Sequence, residues 1–274
     1  GFVNDRQAAS LTAGYARTDG FSATDAGAEA DGYRQWQLSG KARTELAQGL
    51  SLRATGRYAD SRLELDLTAP DSPLDLQKTR EGTGRIGLDY EAGDARFSGG
   101  FSLSHLRRHY EGGWGPSPFT GSSRRADMAG QVPVAGDLRL DFGADSEWTR
   151  ARSTFDPRSS ARETAGYGLL RRYGGGWSLA GRPRGTDHSR FGTHAALGAN
   201  AMVRLDDNLR LRASYGEGFK APTLYQLFGS WVGNRGLKPE RSRSYDAGIA
   251  LGDRNAPLHA GITLFRRDSR NLID

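Results

Sequence analysis

The sequence predicts an all-β chain, a transmembrane antiparallel up-and-down β-barrel present in part. Three observations predict it. Apolar and polar residues alternate with a period of two over segments near the roughly ten residues that a tilted strand needs to cross an apolar bilayer core. Connections between these segments switch between very short and long, as two different rims require. Aromatic side chains collect at segment ends, where an interface favours rings with one polar edge.

The alternation is explicit in several elements. Leu50, Leu52, Ala54, Gly56 and Tyr58 share one face of a strand, with Ser51, Arg53, Thr55 and Arg57 on the other. Leu138, Leu140, Phe142, Ala144, Ser146 and Trp148 oppose Arg139, Asp141, Gly143, Asp145 and Glu147 in the same way. Leu209, Leu211, Ala213 and Tyr215 oppose Arg210, Arg212 and Ser214. Tyr245, Ala247, Ile249 and Leu251, then Leu258, Ala260, Ile262 and Leu264, repeat the pattern near the end. Helical periodicity would scatter each set around a cylinder. Counting such segments gives about 13 strands, long and meandering, which suits a large barrel better than a soluble two-sheet sandwich.

Tight turns fit at 47–49, 91–94, 135–137, 174–176, 206–208 and 252–257, rich in Gly, Asp and Asn. Longer stretches rich in Gly, Pro, Ser and Asp fall near 19–31, 65–76, 111–122, 153–161, 185–192 and 216–241. The short set defines an inner rim and the long set an outer one. Tyr58, Tyr90, Trp148, Trp177, Tyr215 and Tyr245 stand at the ends of the alternating runs, as girdles would.

Composition agrees and excludes other classes. The chain has 274 residues, 38 glycines and no cysteine, so disulfide frameworks and cysteine metal sites are ruled out. Mean hydropathy is −0.65, which is uninformative for a barrel because half of every spanning segment is polar. No run of about 18 apolar residues exists for a transmembrane helix. The net charge of +6 comes from arginines spread along the chain and interleaved with Asp and Glu. That distribution argues against nucleic-acid binding, which needs a concentrated basic face. The opening at Gly1 without a signal segment, and the end at Asn271-Leu272-Ile273-Asp274 directly after a strand-like run, read as an excerpt with sequence missing on both sides.

A long two-part string is the most specific motif. It runs from Ala213-Ser214-Tyr215-Gly216-Glu217-Gly218-Phe219-Lys220-Ala221-Pro222 through Thr223-Leu224-Tyr225-Gln226-Leu227-Phe228, then Gly233-Asn234-Arg235-Gly236-Leu237-Lys238-Pro239-Glu240-Arg241-Ser242. Pro222 lacks an N–H and ends the strand ladder. Leu224, Leu227 and Phe228 are spaced for one helical turn that tucks apolar side chains over the rim, and Pro239 re-extends the chain. Loop architecture is the expected role of Lys220, Pro222, Gln226 and Pro239. With Asp187-His188-Ser189-Arg190-Phe191-Gly192 before it, this string resembles TonB-dependent outer-membrane receptors, and within them the cobalamin transporter group. Gly14 to Phe21, Glu29 to Tyr33 and Ser72 to Asp75 resemble the group more loosely.

The resemblance implies a barrel of about 22 strands with a plugged lumen, of which residues 1–274 would be the middle portion, with the plug, its TonB-contacting segment and the last strands outside it. It implies an outer-membrane location in a Gram-negative bacterium and active uptake of a large scarce nutrient, cobalamin first and a ferric siderophore second. The implied partners are outer-membrane lipid and, through the plug, the TonB complex, with the receptor a monomer. A passive porin or adhesin barrel is the rival from another class. No cofactor is required, but some members of the group bind calcium on outer loops, and the matching positions are Glu29, Asp31, Asp66 and Asp75. Hard oxygen ligands from adjacent loops suit that ion, although Ser22 and Ala30 stand where further aspartates occur in the group.

Loop aromatics are the expected ligand contacts, since binding groups sit on loops held by a rigid scaffold. They are Phe21, Tyr110, Trp114, Tyr225, Phe228 and Trp231, with Phe119 nearby. Nothing points to catalysis. His105 and His109 lie on one strand face but about 13 Å apart at roughly 3.3 Å per residue, too far to share a metal. No serine sits in a nucleophile-elbow motif.

Overall fold

A computed structural model describes residues 1–22, 25, 27–67, 75–113, 115–252 and 258–273. The elements in chain order are β1 (Phe2–Val3), β2 (Gln7–Thr18), β3 (Tyr33–Ala47), β4 (Leu50–Glu64), β5 (Leu76–Ala92), β6 (Ala95–Glu111) and β7 (Ser117–Ala135). They continue as β8 (Leu138–Ser153), β9 (Ser159–Gly174), β10 (Trp177–His188), β11 (Gly192–Arg204), β12 (Leu209–Lys220), α1 (Leu224–Phe228), β13 (Glu240–Leu251) and β14 (Ala260–Arg270). The strands form one 14-stranded sheet in which every strand pairs with its sequence neighbours, antiparallel throughout. This is the predicted meander, with the two-residue β1, too short to show alternation, added to the predicted count.

Register decides what each face does. Paired residues share a face, so the apolar sets of successive strands meet in one continuous surface. Leu38 lies opposite Tyr58, Leu52 opposite Leu88, Ile86 opposite Phe101 and Leu140 opposite Leu170. Across the later strands Trp177 faces Val203, Leu211 faces Ile249, and Ile249 faces Ile262. These side chains are exposed, Ile86 at 54%, Leu179 at 54% and Ile262 at 68%. An exposed apolar band of this extent would aggregate in water and is stable in lipid.

The band has two aromatic margins. Tyr15 packs on Trp36 at 4.3 Å and Tyr215 on Tyr245 at 5.1 Å towards the long-loop rim. Tyr90 and Phe97 stack at 6.4 Å towards the short-turn rim. Tyr58 is opposite Gly82 and Tyr90 opposite Leu50. The strand between those levels is roughly 26 Å long at about 3.3 Å per residue, and at a tilt of about 40° it rises roughly 20 Å, most of an apolar band of about 25 Å.

The opposite face carries paired charges. Arg85 grips Asp127 through two bonds, Nη1 to Oδ1 at 2.5 Å and Nη2 to Oδ2 at 2.7 Å. Arg53 meets Asp89 at 2.5 Å, Arg171 meets Asp141 at 2.6 Å, and Arg125 lies 3.6 Å from Asp145. The Arg85–Asp127 pair spans β6 to join β5 with β7, and the other three link adjacent strands along the inner wall. Because they are partly exposed, each contributes no more than about 1 kcal/mol.

The inner rim has the expected turns at 47–49, 91–94, 135–137, 174–176 and 206–208, and residues 253–257 of the remaining one lie outside the described residues. Gly49, Gly93, Gly136, Gly176 and Gly252 all adopt positive φ there. At Gly49 a Cβ would lie 2.3 Å from the Glu91 carbonyl, so no other residue fits the approach of the neighbouring turn. Proline falls where a ladder tolerates it. Pro133 sits at the register shift before Ala135, and Pro183 lies where the pairing of β10 with β9 is interrupted between Gly181 and Arg184.

Four outer connections are shorter than the sequence predicts. The expected loops at 111–122, 153–161, 185–192 and 216–241 shrink to 112–116, 154–158, 189–191 and 221–239. Ser117 to Thr120, Ser159 to Ala161 and Gly185 to His188 extend the ladders instead. Polar and glycine-rich composition resembles a loop, but it also suits strands that rise above lipid with water on both faces.

Candidate ligand-binding rim

The β12 to β13 connection begins where the ladder ends. Lys220 Nζ meets Glu240 Oε1 at 2.9 Å across the last pair of those strands. Thr223 then caps α1. Its hydroxyl accepts the Gln226 N–H at 3.2 Å, while the Gln226 carboxamide oxygen accepts the Thr223 N–H at 2.9 Å. This reciprocal capping box fixes the entry of the turn. Leu227 is 2% exposed, the predicted apolar tuck over the rim. The Gly229 N–H donates to the Tyr225 carbonyl at 2.8 Å and closes the turn. Asn271 Nδ2 holds the Pro239 carbonyl at 3.2 Å where β13 resumes. Lys220, Gln226 and Pro239 are thus engaged with protein, as their expected architectural role requires.

Two neighbouring hairpins clamp this loop. From the β8–β9 tip, Asp156 Oδ1 accepts the Ser230 N–H at 2.6 Å and the Ser230 hydroxyl at 2.8 Å, and that hydroxyl also contacts the Phe155 carbonyl. Ser153 Oγ donates to the other carboxylate oxygen at 2.7 Å. Burial acts to raise the Asp156 pKa, but the bonds from Ser153 and Ser230 outweigh it and hold the carboxyl below its ordinary value. The Phe155 and Trp231 rings pack at 4.9 Å beside this contact. From the β10–β11 tip, the Arg190 guanidinium lies 5.4 Å from the Phe228 ring centre and donates to the Arg235 carbonyl at 2.8 Å. Arg235 itself lies 5.6 Å from the same ring. A positive charge over each approach makes the Phe228 ring a cationic aromatic platform.

The structure gathers some of the expected contacts and separates others. Tyr225 and Phe228 line one cavity of about 370 Å³ with Phe119, Asp156 and residues Thr149 to Ser153 of β8. A second cavity of about 420 Å³ lies on the inner side of α1, between Glu147, Glu163, His188, Arg190 and Phe228. Tyr225 is 60% exposed and Trp231 78%, so both rings offer a face to solvent. Phe21 is 84% exposed on the β2–β3 connection, away from these cavities. The Tyr110 hydroxyl donates to Asp75 Oδ1 at 2.6 Å, so that side chain spends its polar end on the protein. Trp114 lies outside the described residues.

Two of the four acidic residues tie outer connections together. Asp75 is 1% exposed, and its oxygens accept from Tyr110, from the Gly113 N–H at 3.3 Å and from the Leu67 N–H at 3.0 Å. It pins the β4–β5 connection to the β6–β7 hairpin. Asp66 accepts from Ser22 at 3.4 Å, which joins the β2–β3 and β4–β5 connections. Among the described residues no three acidic or histidine side chains are grouped to hold a metal ion, with Glu29 and Asp31 included in that search.

Asp156, Ser230, Phe155, Arg190 and Arg235 are the rim residues that sequence reasoning missed. Only Arg190 and Arg235 fall inside the family-like string, and the tertiary contact from Asp156 spans 74 residues of sequence.

An apolar outer band, a charged inner wall and long loops folded over one rim define a membrane β-barrel wall with an outward-facing loop platform. The family described as TonB-dependent receptor-like, β-barrel, matches residues 1–274, and the chain belongs to it. Solved structures agree on the fold. A mutant of the ferric enterobactin receptor PfeA from Pseudomonas aeruginosa is 16% identical with a TM-score of 0.80, over 98% of this chain and 49% of that one. The siderophore receptor PirA from Acinetobacter baumannii is 14% identical at a TM-score of 0.78, over 97% and 48%. The FrpB iron transporter from Neisseria meningitidis is 11% identical at 0.77, over 97% and 50%. The chain thus spans about half the length of these structures.

Proposed function

We propose that residues 1–274 form part of the wall and outer rim of an outer-membrane active transporter, energised through the TonB complex, that takes up a large scarce nutrient in a Gram-negative bacterium. The observation that carries this is the clamped β12–β13 loop. Its exposed Tyr225 and Trp231 and the guanidinium-flanked Phe228 make a broad aromatic platform on a rigid support. Such a platform suits a bulky ligand with aromatic and anionic character. A ferric siderophore has that chemistry, and the named neighbours are siderophore or iron receptors. Cobalamin is the second reading. What favours it is the string from Ala213 to Ser242, which resembles the cobalamin transporter group.

The experiment is growth of a host lacking its own receptors, supplied with the full-length gene, on limiting iron with ferric siderophores or on limiting cobalamin. Rescue by a ferric siderophore that disappears in a host without TonB is the expected result. Rescue on cobalamin alone reverses the order of substrates. TonB-independent passage of small solutes makes the protein a passive barrel instead.

A further inference from the structure

The outward face does not end at its aromatic margin. Above it the same face continues into β6, β7 and β8 with a change of chemistry. Register sets Leu103 opposite Arg124 and Arg124 opposite Trp148. One step higher, His105 faces Ser122 and Ser122 faces Arg150. Higher again, Arg107 faces Thr120 and Thr120 faces Arg152. Arg107, Arg124, Arg150 and Arg152 are all exposed.

These arginines have no carboxylate within 4.0 Å among the described residues. The contrast with the inner face of the same strands is direct. There Arg125 is matched by Asp145, and the acids Asp127 and Glu147 are matched by Arg85 and by Ser123. Elsewhere at the outer level Arg80 is matched by Asp60 and Arg162 by Asp187, while Arg34 and Arg270, also outward, stand singly and outside the patch. On the outward face of β6 to β8 the one acid, Glu111, stands at the tip of β6 and is held by Lys78.

Three strands about 4.8 Å apart and two pair-steps of about 6.6 Å put the four guanidiniums on a patch roughly 10 Å wide and 13 Å tall. The hydroxyls of Ser122 and Thr120 lie between them. Guanidinium pairs with interleaved hydroxyl donors match phosphate oxygens. We propose that this patch binds the phosphate groups of lipid headgroups in the outer leaflet. The height selects the lipid source. Trp148 marks the interface, and the arginines begin beside it and rise just above it, at headgroup level and on the lipid-facing side. The proposal rests on the outer-membrane reading given above.

The test uses the full-length receptor, purified and mixed with vesicles of phosphatidylcholine alone or with added lipid A, which carries phosphomonoesters. Bound lipid is counted by native mass spectrometry after detergent exchange. Retention of lipid A over phosphatidylcholine by the unaltered protein is expected, with a loss of roughly tenfold in R124Q/R150Q. The control R34Q/R270Q removes the same charge from outward arginines outside the patch and should retain lipid A. Equal retention by both variants, or equal loss in both, overturns the site. Displacement of lipid A by low millimolar inorganic phosphate overturns the lipid source. All three proteins are also run unheated on gels. An unaltered protein that lacks heat-modifiable barrel mobility sinks the outer-membrane reading itself, which is a separate failure from lost lipid selectivity in intact barrels.

Discussion

Single residues decide how firmly the rim platform is held, and Asp156 has the largest part. Its two oxygens collect bonds from Ser153 and from both donors of Ser230, so the carboxylate form is the one that clamps the loop. Asp156→Ala should release the loop by about 1 kcal/mol, a modest figure because the site is half-exposed. Hydrogen exchange of the Ser230 amide would then quicken about fivefold, while barrel strands keep their protection. Because the folded pKa lies below the ordinary value, the clamp is complete above the unfolded pKa near 4 and is lost as pH falls through the lower folded value. Protection at Ser230 should therefore be flat from neutral pH to about 4 and fall in stronger acid, whereas Asp156→Asn should show no acid step. A step of equal size in both proteins would assign the acid sensitivity to another group. At Phe228 the expectation concerns ligand. Phe228→Leu keeps the buried contact of α1 but removes the ring that two guanidiniums approach, and substrate affinity of the full-length receptor should drop about threefold to tenfold.

Strands read as elements show why some of the molecule was visible in the sequence and some was not. Alternation survives because lipid and lumen impose opposite demands on successive residues, and the register of Leu52 with Leu88 and Ile86 with Phe101 carries it from strand to strand. The helical turn from Leu224 to Phe228, though not its Thr223 cap, was legible for the same kind of reason, since Pro222 and the apolar spacing act locally. The upper ends of the strands were not legible. Ser117 to Thr120 pair fully with β6 although their composition reads as loop, because above the membrane neither face demands apolar residues. The clamp from Asp156 to Ser230 was invisible because it joins connections that only the folded, curved meander brings together. Lipid-face demands can be tested at one position. Ile86→Arg should destabilise the folded barrel by about 2–4 kcal/mol, the cost of a cation in mid-bilayer. Thr55→Arg, on the inward face of the adjoining strand where Arg53 and Arg57 already stand, should change stability far less. Urea titration of the full-length protein in lipid vesicles measures both, and similar losses would mean that the outward face is not lipid-exposed.

The backbone ladder of the whole sheet runs only between sequence neighbours, and its two margins bear on how the chain can live in a bilayer. β1 pairs with β2 and β14 with β13, and no pairing of β14 with β1 closes the sheet among the described residues. The edge of β14 presents a run of backbone N–H and C=O groups on a strand whose Ile262 and Leu264 face lipid. Unmatched peptide groups in hydrocarbon each cost several kcal/mol, so an open edge of this length cannot rest in a membrane. The solved structures that this chain resembles are about twice as long and match nearly all of it. Residues 1–274 expressed alone should accordingly fail to enter liposomes as a protease-resistant, heat-modifiable species, and should aggregate through the β14 edge. The full-length protein under the same conditions should give the resistant barrel. A resistant species from the fragment would show that β14 can pair with β1 and that the curvature of this sheet suffices to close it.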